Sequence, residues 1–200
     1  MEKSVERILI PTPDILRRLD ELALQILNDY QGKDLTVIAI LNGSLIFTAD
    51  LLRRIPLPLK LHCITASSYH GGIETSGTVN LNSFSLPDLK GSHVLILDDI
   101  LDTGLTLAAI EEKIAHESAP LSLKLCVLLR KLKPRTRAVC ADYVGFDIGD
   151  EFVIGYGLDY REQFRNLPYI GVLADSEIQV RAGQAEKERG GFIRELSRII

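Results

Sequence analysis

Three carboxylates stand close together in VLILDDILDTGLTL, residues 94–107: Asp98, Asp99 and Asp102, followed by Thr103, Gly104 and Thr106. The apolar run before them reads as a strand, and burial makes charge expensive. Acids at the end of such a strand are therefore placed to meet a ligand rather than the core. Two adjacent carboxylates suit a diol or Mg²⁺, because vicinal hydroxyls donate to a carboxylate and Mg²⁺ takes hard oxygen ligands. The Asp-Thr-Gly-Leu-Thr turn leads into a helical pattern, so its backbone N–H groups, the positive helix end and the threonine hydroxyls can hold a phosphate. Asp-Thr-Gly alone is an ordinary helix cap. With the apolar strand and the acid pair in front of it, the whole stretch fits a sugar phosphate carrying a diol and a metal.

The elements that must position these residues alternate between two periods. Thr12-Pro13 opens a helix expected over 13–30, with Ile15, Leu19, Leu22 and Ile26 at helical spacing. LTVIAIL (35–41) is a short β-branched run suited to a strand covered on both faces, and Asn42-Gly43-Ser44 breaks it. LIFTADLLRRI then has helical spacing, and LKLHCITAS (59–67) alternates like a strand. Residues 69–84 are polar and glycine-bearing, which predicts a hairpin or active-site flap. A strand over 93–98, a helix over 104–117, a strand over 123–129, short strands around tight turns and a last strand at 169–174 that closes the sheet complete the order. This alternation predicts an α/β fold, a mostly parallel central sheet with helices on both faces, with its ligand beyond the carboxyl ends of the strands.

Composition removes several classes of function. With 200 residues, 46% hydrophobic, the chain suits one sizeable core. A formal net charge of -4 without a basic run argues against nucleic acid. No apolar stretch approaches the roughly 18 residues needed to cross a bilayer, and the first residues lack a signal-peptide layout, so a soluble cytoplasmic protein without a membrane partner is expected. Cys63, Cys126 and Cys140 have neither paired spacing nor a clustered histidine, which argues against a disulfide frame or zinc site.

Four separated segments carry a family resemblance: LNGSLIF, SSYHGG, VLILDDILDTGLTL and DYVGFDIGDEFVIGYGLDYREQFRNLPYIGVL. Together they resemble, in order and from roughly residue 5 to 175, the type I phosphoribosyltransferases, and within that group the hypoxanthine-guanine phosphoribosyltransferases. The resemblance implies that fold, with a small hood built from the N-terminus and about 145–170 and a flap over 69–84. Residues 1–175 then form the transferase domain, and 176–200 a C-terminal extension with a short amphipathic helix. The implied substrates are phosphoribosyl diphosphate and a purine base, the cofactor is Mg²⁺, and the assembly is a homodimer or homotetramer.

By the same resemblance Asp98 and Asp99 hold the ribose hydroxyls, and Asp102, Thr103, Gly104, Leu105 and Thr106 wrap the 5'-phosphate. Asp102 also matches the general base near purine N7. The leaving diphosphate meets Arg165, Mg²⁺ and the backbone of Asn42 and Gly43, while Ser68 and Tyr69 match the flap residues that exclude water. Phe152 matches the aromatic that stacks on the purine, Val153 the residue whose backbone reads its edge, and Asp159, in the base-binding segment, a second metal carboxylate beside Asp98 and Asp99. Two positions depart from the family pattern, Asn42 and Cys140, each standing where a lysine is usual. A thiol is a weak donor without positive charge, so 6-oxo recognition is expected to suffer. Lys131 and Lys133 in the adjacent loop are candidates to reach in instead. The alternatives are a non-catalytic or weakly active paralogue that binds nucleotide or phosphoribosyl diphosphate, and a transferase with altered base specificity.

Overall fold

Consecutive residues of the central strands are buried on opposite sides, which happens only when both faces of a sheet are covered. In the computed structural model, which describes residues 4–65, 67–68, 79–80 and 86–174, Val37, Leu95, Leu97, Cys126 and Leu128 enter one apolar cluster. Their neighbours Ile38, Ile40, Val94, Ile96, Leu125 and Val127 enter another. The first cluster is completed by helices α1 (Thr12–Tyr30) and α2 (Leu45–Leu52), the second by α3 (Leu105–Glu117).

The main sheet has five strands, β2 (Leu35–Leu41), β3 (Leu59–Thr65), β6 (His93–Leu101), β7 (Ser122–Lys131) and β8 (Tyr143–Ile148), in the order β3-β2-β6-β7-β8. Every adjacent pair is parallel. A parallel sheet sends all its carboxyl ends to one edge, so the turns after β2, β6 and β7 gather there.

A smaller antiparallel sheet joins β1 (Val5–Ile10), β10 (Ile170–Leu173) and β9 (Val153–Ile154) in the order β1-β10-β9. This corrects one expectation: 169–174 does not close the main sheet. Four consecutive buried residues fit either sheet, and pairing with β1 decides between them. β6 also runs beyond 98 to Leu101, because its register with β7 continues through Leu101 and Arg130. The helix after β2 stops at Leu52, short of the apolar pattern.

Backbone pairing also joins β4 (Ser67–Ser68) to β5 (Val79–Asn80), antiparallel. The rest of the expected flap, Tyr69 included, and the extension over 176–200 lie outside the described residues. No described helix is long and apolar enough to cross a membrane.

Leu95, fully buried in the central strand, and Leu24, exposed on α1, give the packing a direct check. Leu95→Ala is expected to destabilise the protein by about 2–5 kcal/mol. Leu24→Ala should change stability by less than about 0.5 kcal/mol, both read from urea-unfolding midpoints.

Candidate active site

Asp98 and Asp99 occupy the carboxyl-terminal part of β6, the middle strand. Asp98 is only 7% exposed, and its Oδ1 accepts the Asp99 backbone N–H at 3.0 Å. Burial pushes the Asp98 carboxyl well above the usual carboxylate range, and the Asp99 charge pushes it further. Burial raises Asp99 as well, against the opposing pull of hydrogen bonds and of the Arg165 charge. An acid pair that resists ionisation is poised to gain from any ligand bringing hydroxyl donors or a cation.

The turn after β2 reaches the same acids. A Cβ on Gly43 would overlap the Asp99 carboxylate, so only glycine lets this backbone lie against it. The Leu41–Asn42 peptide is cis, and the Asn42 side of the turn is exposed. On its other side the Gly43 carbonyl oxygen packs against Gly157 so closely that a Cβ there would overlap it. Gly157 belongs to the 155–167 loop; its N–H bonds to Arg165 O at 2.9 Å, and its carbonyl accepts Arg165 Nη1 at 2.9 Å. Arg165 Nη2 also pairs with Asp159 Oδ1 at 2.9 Å and Glu162 Oε2 at 3.0 Å. Asp159 Oδ2 accepts the Glu162 N–H at 2.8 Å. An open cavity of about 450 Å³ is lined by residues 162–166, Arg165 among them.

Past the strand, Gly104 has φ +78°, a conformation that favours glycine, and a Cβ there would stand 2.6 Å from Arg137 O. The Arg137 N–H in turn bonds to Thr103 O at 3.1 Å, so the 135–139 segment braces the turn. Helix α3 begins directly after it with no side-chain cap; the nearest substitute is Thr103 Oγ1, 3.4 Å from the Leu105 N–H. The first-turn N–H groups beyond Leu105 are thus placed to receive an anion.

Of the three carboxylates in the 98–102 run, Asp102 is the one that lysines pair. Lys133 Nζ lies 2.7 Å from Asp102 Oδ1, and Lys131 Nζ 3.3 Å from Oδ2. Asp150 Oδ1 joins both lysines, at 3.1 Å from Lys131 and 2.6 Å from Lys133. Burial alone pulls the Lys133 ammonium down, but its bonds to Asp102 and Asp150 outweigh that and hold it above the ordinary lysine range. Those bonds also hold Asp150 below the usual carboxylate range. Asp150 was not legible as a site residue, because a Gly-Asp turn is an ordinary one. The lysine pair did carry a signal: residues two apart at the end of a strand share a face, and the register opposing Leu101 to Arg130 brings that end beside Asp102.

The remaining expected residues are spread around this centre. Phe152, two residues past Asp150, is 41% exposed and meets the Tyr160 ring edge-on at 5.4 Å. Val153 is buried and pairs with Val172 in the second sheet. Cys140 is exposed, and Arg130 at the end of β7 pairs with Asp147. Ser68 is described by its backbone pairing with Val79 alone. Asp98, Asp99 and Asp159 do not form a closed metal cage; among the described residues no three acidic, histidine or cysteine side chains are grouped to hold an ion.

Comparison with known proteins gives one consistent result. The phosphoribosyl transferase domain family matches residues 6–161. A hypoxanthine-guanine phosphoribosyltransferase of Streptococcus pneumoniae strain R6 is 40% identical over 175 residues, covering 88% of this chain and 97% of that protein. One from Staphylococcus aureus strain Mu50 is 43% identical over 173 residues, covering 86% and 96%. Among solved structures, a Staphylococcus aureus hypoxanthine phosphoribosyltransferase superposes with a TM-score of 0.82 at 43% identity, covering 88% of this chain and 95% of that one. A Trypanosoma cruzi hypoxanthine phosphoribosyl transferase, solved to address the role of its C-terminal region on oligomeric state and enzymatic activity, superposes with a TM-score of 0.82 at 37% identity, covering 90% and 97%. With the acid pair, the uncapped turn and the parallel sheet already in place, these matches make the chain a member of the phosphoribosyl transferase family.

Proposed function

We propose that this protein transfers the phosphoribosyl group of phosphoribosyl diphosphate to a 6-oxopurine, hypoxanthine first and guanine second, giving IMP or GMP and diphosphate in purine salvage. One observation carries the reading: carboxylates that resist ionisation stand next to a turn whose helix N-terminus has no side-chain cap. Such a site calls for hydroxyls or a cation at one end and an anion at the other. Metal-bound phosphoribosyl diphosphate supplies all of them. The names of the bacterial relatives support the choice of base.

In this reading Asp98 and Asp99 accept the ribose hydroxyls, the turn from Asp102 to Thr106 donates to the 5'-phosphate, and Arg165 with the backbone of Asn42 and Gly43 faces the diphosphate. N9 of the base bonds to the anomeric carbon as the bond to the diphosphate oxygen breaks, and the N7 proton passes to Asp102. Lys131 and Lys133 fix the position of that carboxylate. Phe152 offers its exposed ring for stacking and Val153 its backbone for the base edge, with the second sheet acting as the hood. Ser68 and Tyr69 belong to the flap that excludes water.

Mg²⁺ fits these residues, because an acid pair with raised pKa values gains from a cation, and Mg²⁺ is bound through one or two carboxylates plus substrate and water oxygens rather than by an all-protein cage. Asp98 and Asp99 would hold it, whereas Asp159 is engaged by Arg165. When bound, the ion neutralises charge developing on the leaving diphosphate.

The protein is further read as a cytoplasmic homodimer or homotetramer. Exposed Leu45 and Leu61 border an apolar cleft of about 300 Å³ at the β3 edge, a surface that a second copy covers. The Trypanosoma cruzi structure addresses the role of that protein's own C-terminal region in oligomeric state, which supports reading the extension over 176–200 as a part of the assembly.

The decisive test is IMP or GMP formation with Mg²⁺ and phosphoribosyl diphosphate. Asp102→Asn should lower kcat by about 100- to 10,000-fold, the usual worth of a general base, with KM values little changed. No transfer to any base by the native protein would sink the reading in favour of a binding protein.

The acid pair also sets a pH dependence. Because both pKa values are raised on folding, the folded chain holds protons that the unfolded chain releases. Stability present below the ordinary carboxylate pKa of 3.8 is lost as pH rises through the raised titration. Asp98→Asn is expected to make the ligand-free protein more stable than native at pH 7 to 8 and to flatten that slope, while abolishing Mg²⁺-dependent turnover. Thermal unfolding across pH checks this; an Asp98→Asn variant less stable than native at pH 8 would contradict it.

A further inference from the structure

The two groups that face the diphosphate in the reading above, the turn at Asn42 and Gly43 and the Arg165 guanidinium, are the ends of one continuous path through the protein. The turn runs directly into α2. The Asn42 carbonyl accepts the Leu45 N–H at 3.1 Å, and the Ser44 carbonyl accepts the Thr48 N–H at 2.8 Å. Ser44 is fully buried, and its hydroxyl donates to Ile40 O at 2.5 Å, so turn and helix are held as one piece. Asp50 lies on that helix, about two turns beyond Gly43, and its Oδ2 accepts the Tyr156 hydroxyl at 2.6 Å.

From Tyr156 the path enters the 155–167 loop. Gly157, the next residue, packs against the Gly43 carbonyl and holds Arg165 at two points. Its N–H donates to Arg165 O and its carbonyl accepts Arg165 Nη1, each at 2.9 Å. The Tyr156 N–H is bonded in turn to Leu167 O at 2.8 Å. Tyr156 is 3% exposed and has φ +52°, a conformation that a residue with a side chain holds only under constraint. Burial and the bond to Asp50 both push its hydroxyl above the ordinary tyrosine range, so it stays a donor. Asp50 does not depend on Tyr156, because it also pairs with Arg53. Loss of the hydroxyl therefore leaves no unpaired charge behind; what it releases is the loop.

We propose that Tyr156 and Asp50 are positioning residues, a clamp that fixes the spacing between the turn at Asn42 and Gly43 and Arg165 and so sets affinity for the diphosphate end of the donor alone. The inference rests on the reading of the site as transfer from phosphoribosyl diphosphate. Neither residue is assigned a contact to substrate. The clamp acts by preorganisation: a subsite built from two separate segments binds tightly only when both already stand at the spacing the ligand needs. A nucleoside monophosphate carries the base, the ribose and the 5'-phosphate but no diphosphate, so its binding does not depend on that spacing.

The test titrates the full-length protein calorimetrically with two ligands, phosphoribosyl diphosphate in the presence of Mg²⁺, and IMP. The proteins compared are the native one, Tyr156→Phe, Asp50→Asn, Asp50→Ala and the double variant Tyr156→Phe with Asp50→Ala. Tyr156→Phe removes a single oxygen atom. It should weaken phosphoribosyl diphosphate roughly tenfold, the lower end of what a hydrogen bond to a charged group is worth, and change IMP by less than about twofold. Asp50→Asn keeps an acceptor for the hydroxyl and should retain most of the native affinity, whereas Asp50→Ala should lose at least as much as Tyr156→Phe. The double variant should be no weaker than Asp50→Ala alone, because both changes remove the same bond. An equal loss for the two ligands, no loss for either, or losses that multiply in the double variant each overturn the proposal. Native protein that binds neither ligand overturns the transferase reading itself, a result distinct from binding of both that ignores residues 50 and 156.

Discussion

The rest of the site is organised around one unfavourable placement, two carboxylates side by side near the end of the middle strand of a covered sheet. At position 98 the carboxylate costs desolvation and repulsion from Asp99 that an apolar residue would not incur. The fold does little to relieve that cost. Its responses are one backbone N–H on Asp98, hydrogen bonds to Asp99 and the charge of Arg165. Stability is given up so that a ligand can restore it on binding, which is how an active site stores selectivity for a cationic or hydroxyl-bearing partner.

That placement explains why the second sheet has to be near. Its connecting loop, residues 155–167, carries Gly157 against Gly43 and Arg165 toward Asp99. The loop is tied to the body by Tyr156, whose hydroxyl donates to Asp50 on α2 at 2.6 Å. It is tied to itself by Tyr156 N–H to Leu167 O at 2.8 Å and a reciprocal pair between Gly155 and Leu158. Tyr156, Arg161, Glu162 and Phe164 all have positive φ. Non-glycine residues take that conformation only when their surroundings over-determine it. Strain is spent to bring a cation to the edge of the acid pair.

What could be read from the sequence follows from which signals are local. Helix α1 was legible because Ile15, Leu19, Leu22 and Ile26 repeat with its own period and a proline marks its first turn. β2 was legible because seven consecutive apolar or β-branched residues end at a glycine turn. The assignment of 170–173 to the main sheet failed because the four residues are buried on every side, and nothing within them says which sheet they join. Only the distant Val5–Ile10 strand does. The same holds at the site. Asp98, Asp99 and Asp102 were visible as a run, but the neighbours that define their environments, Gly43, Lys133, Asp150 and Gly157, arrive from four different turns.

The two kinds of carboxylate in this site are treated in opposite ways, and the difference matches the two substrates. Asp98 and Asp99 have almost no protein cation beyond the charge of Arg165, and in the proposed reading a donor carrying Mg²⁺ brings one. Asp102 has two, Lys131 and Lys133, and a neutral base brings none. Had the acid pair been given its own lysines, it would compete poorly for a metal. Had Asp102 been left alone in a half-buried turn, nothing would hold it at a fixed distance from an uncharged acceptor.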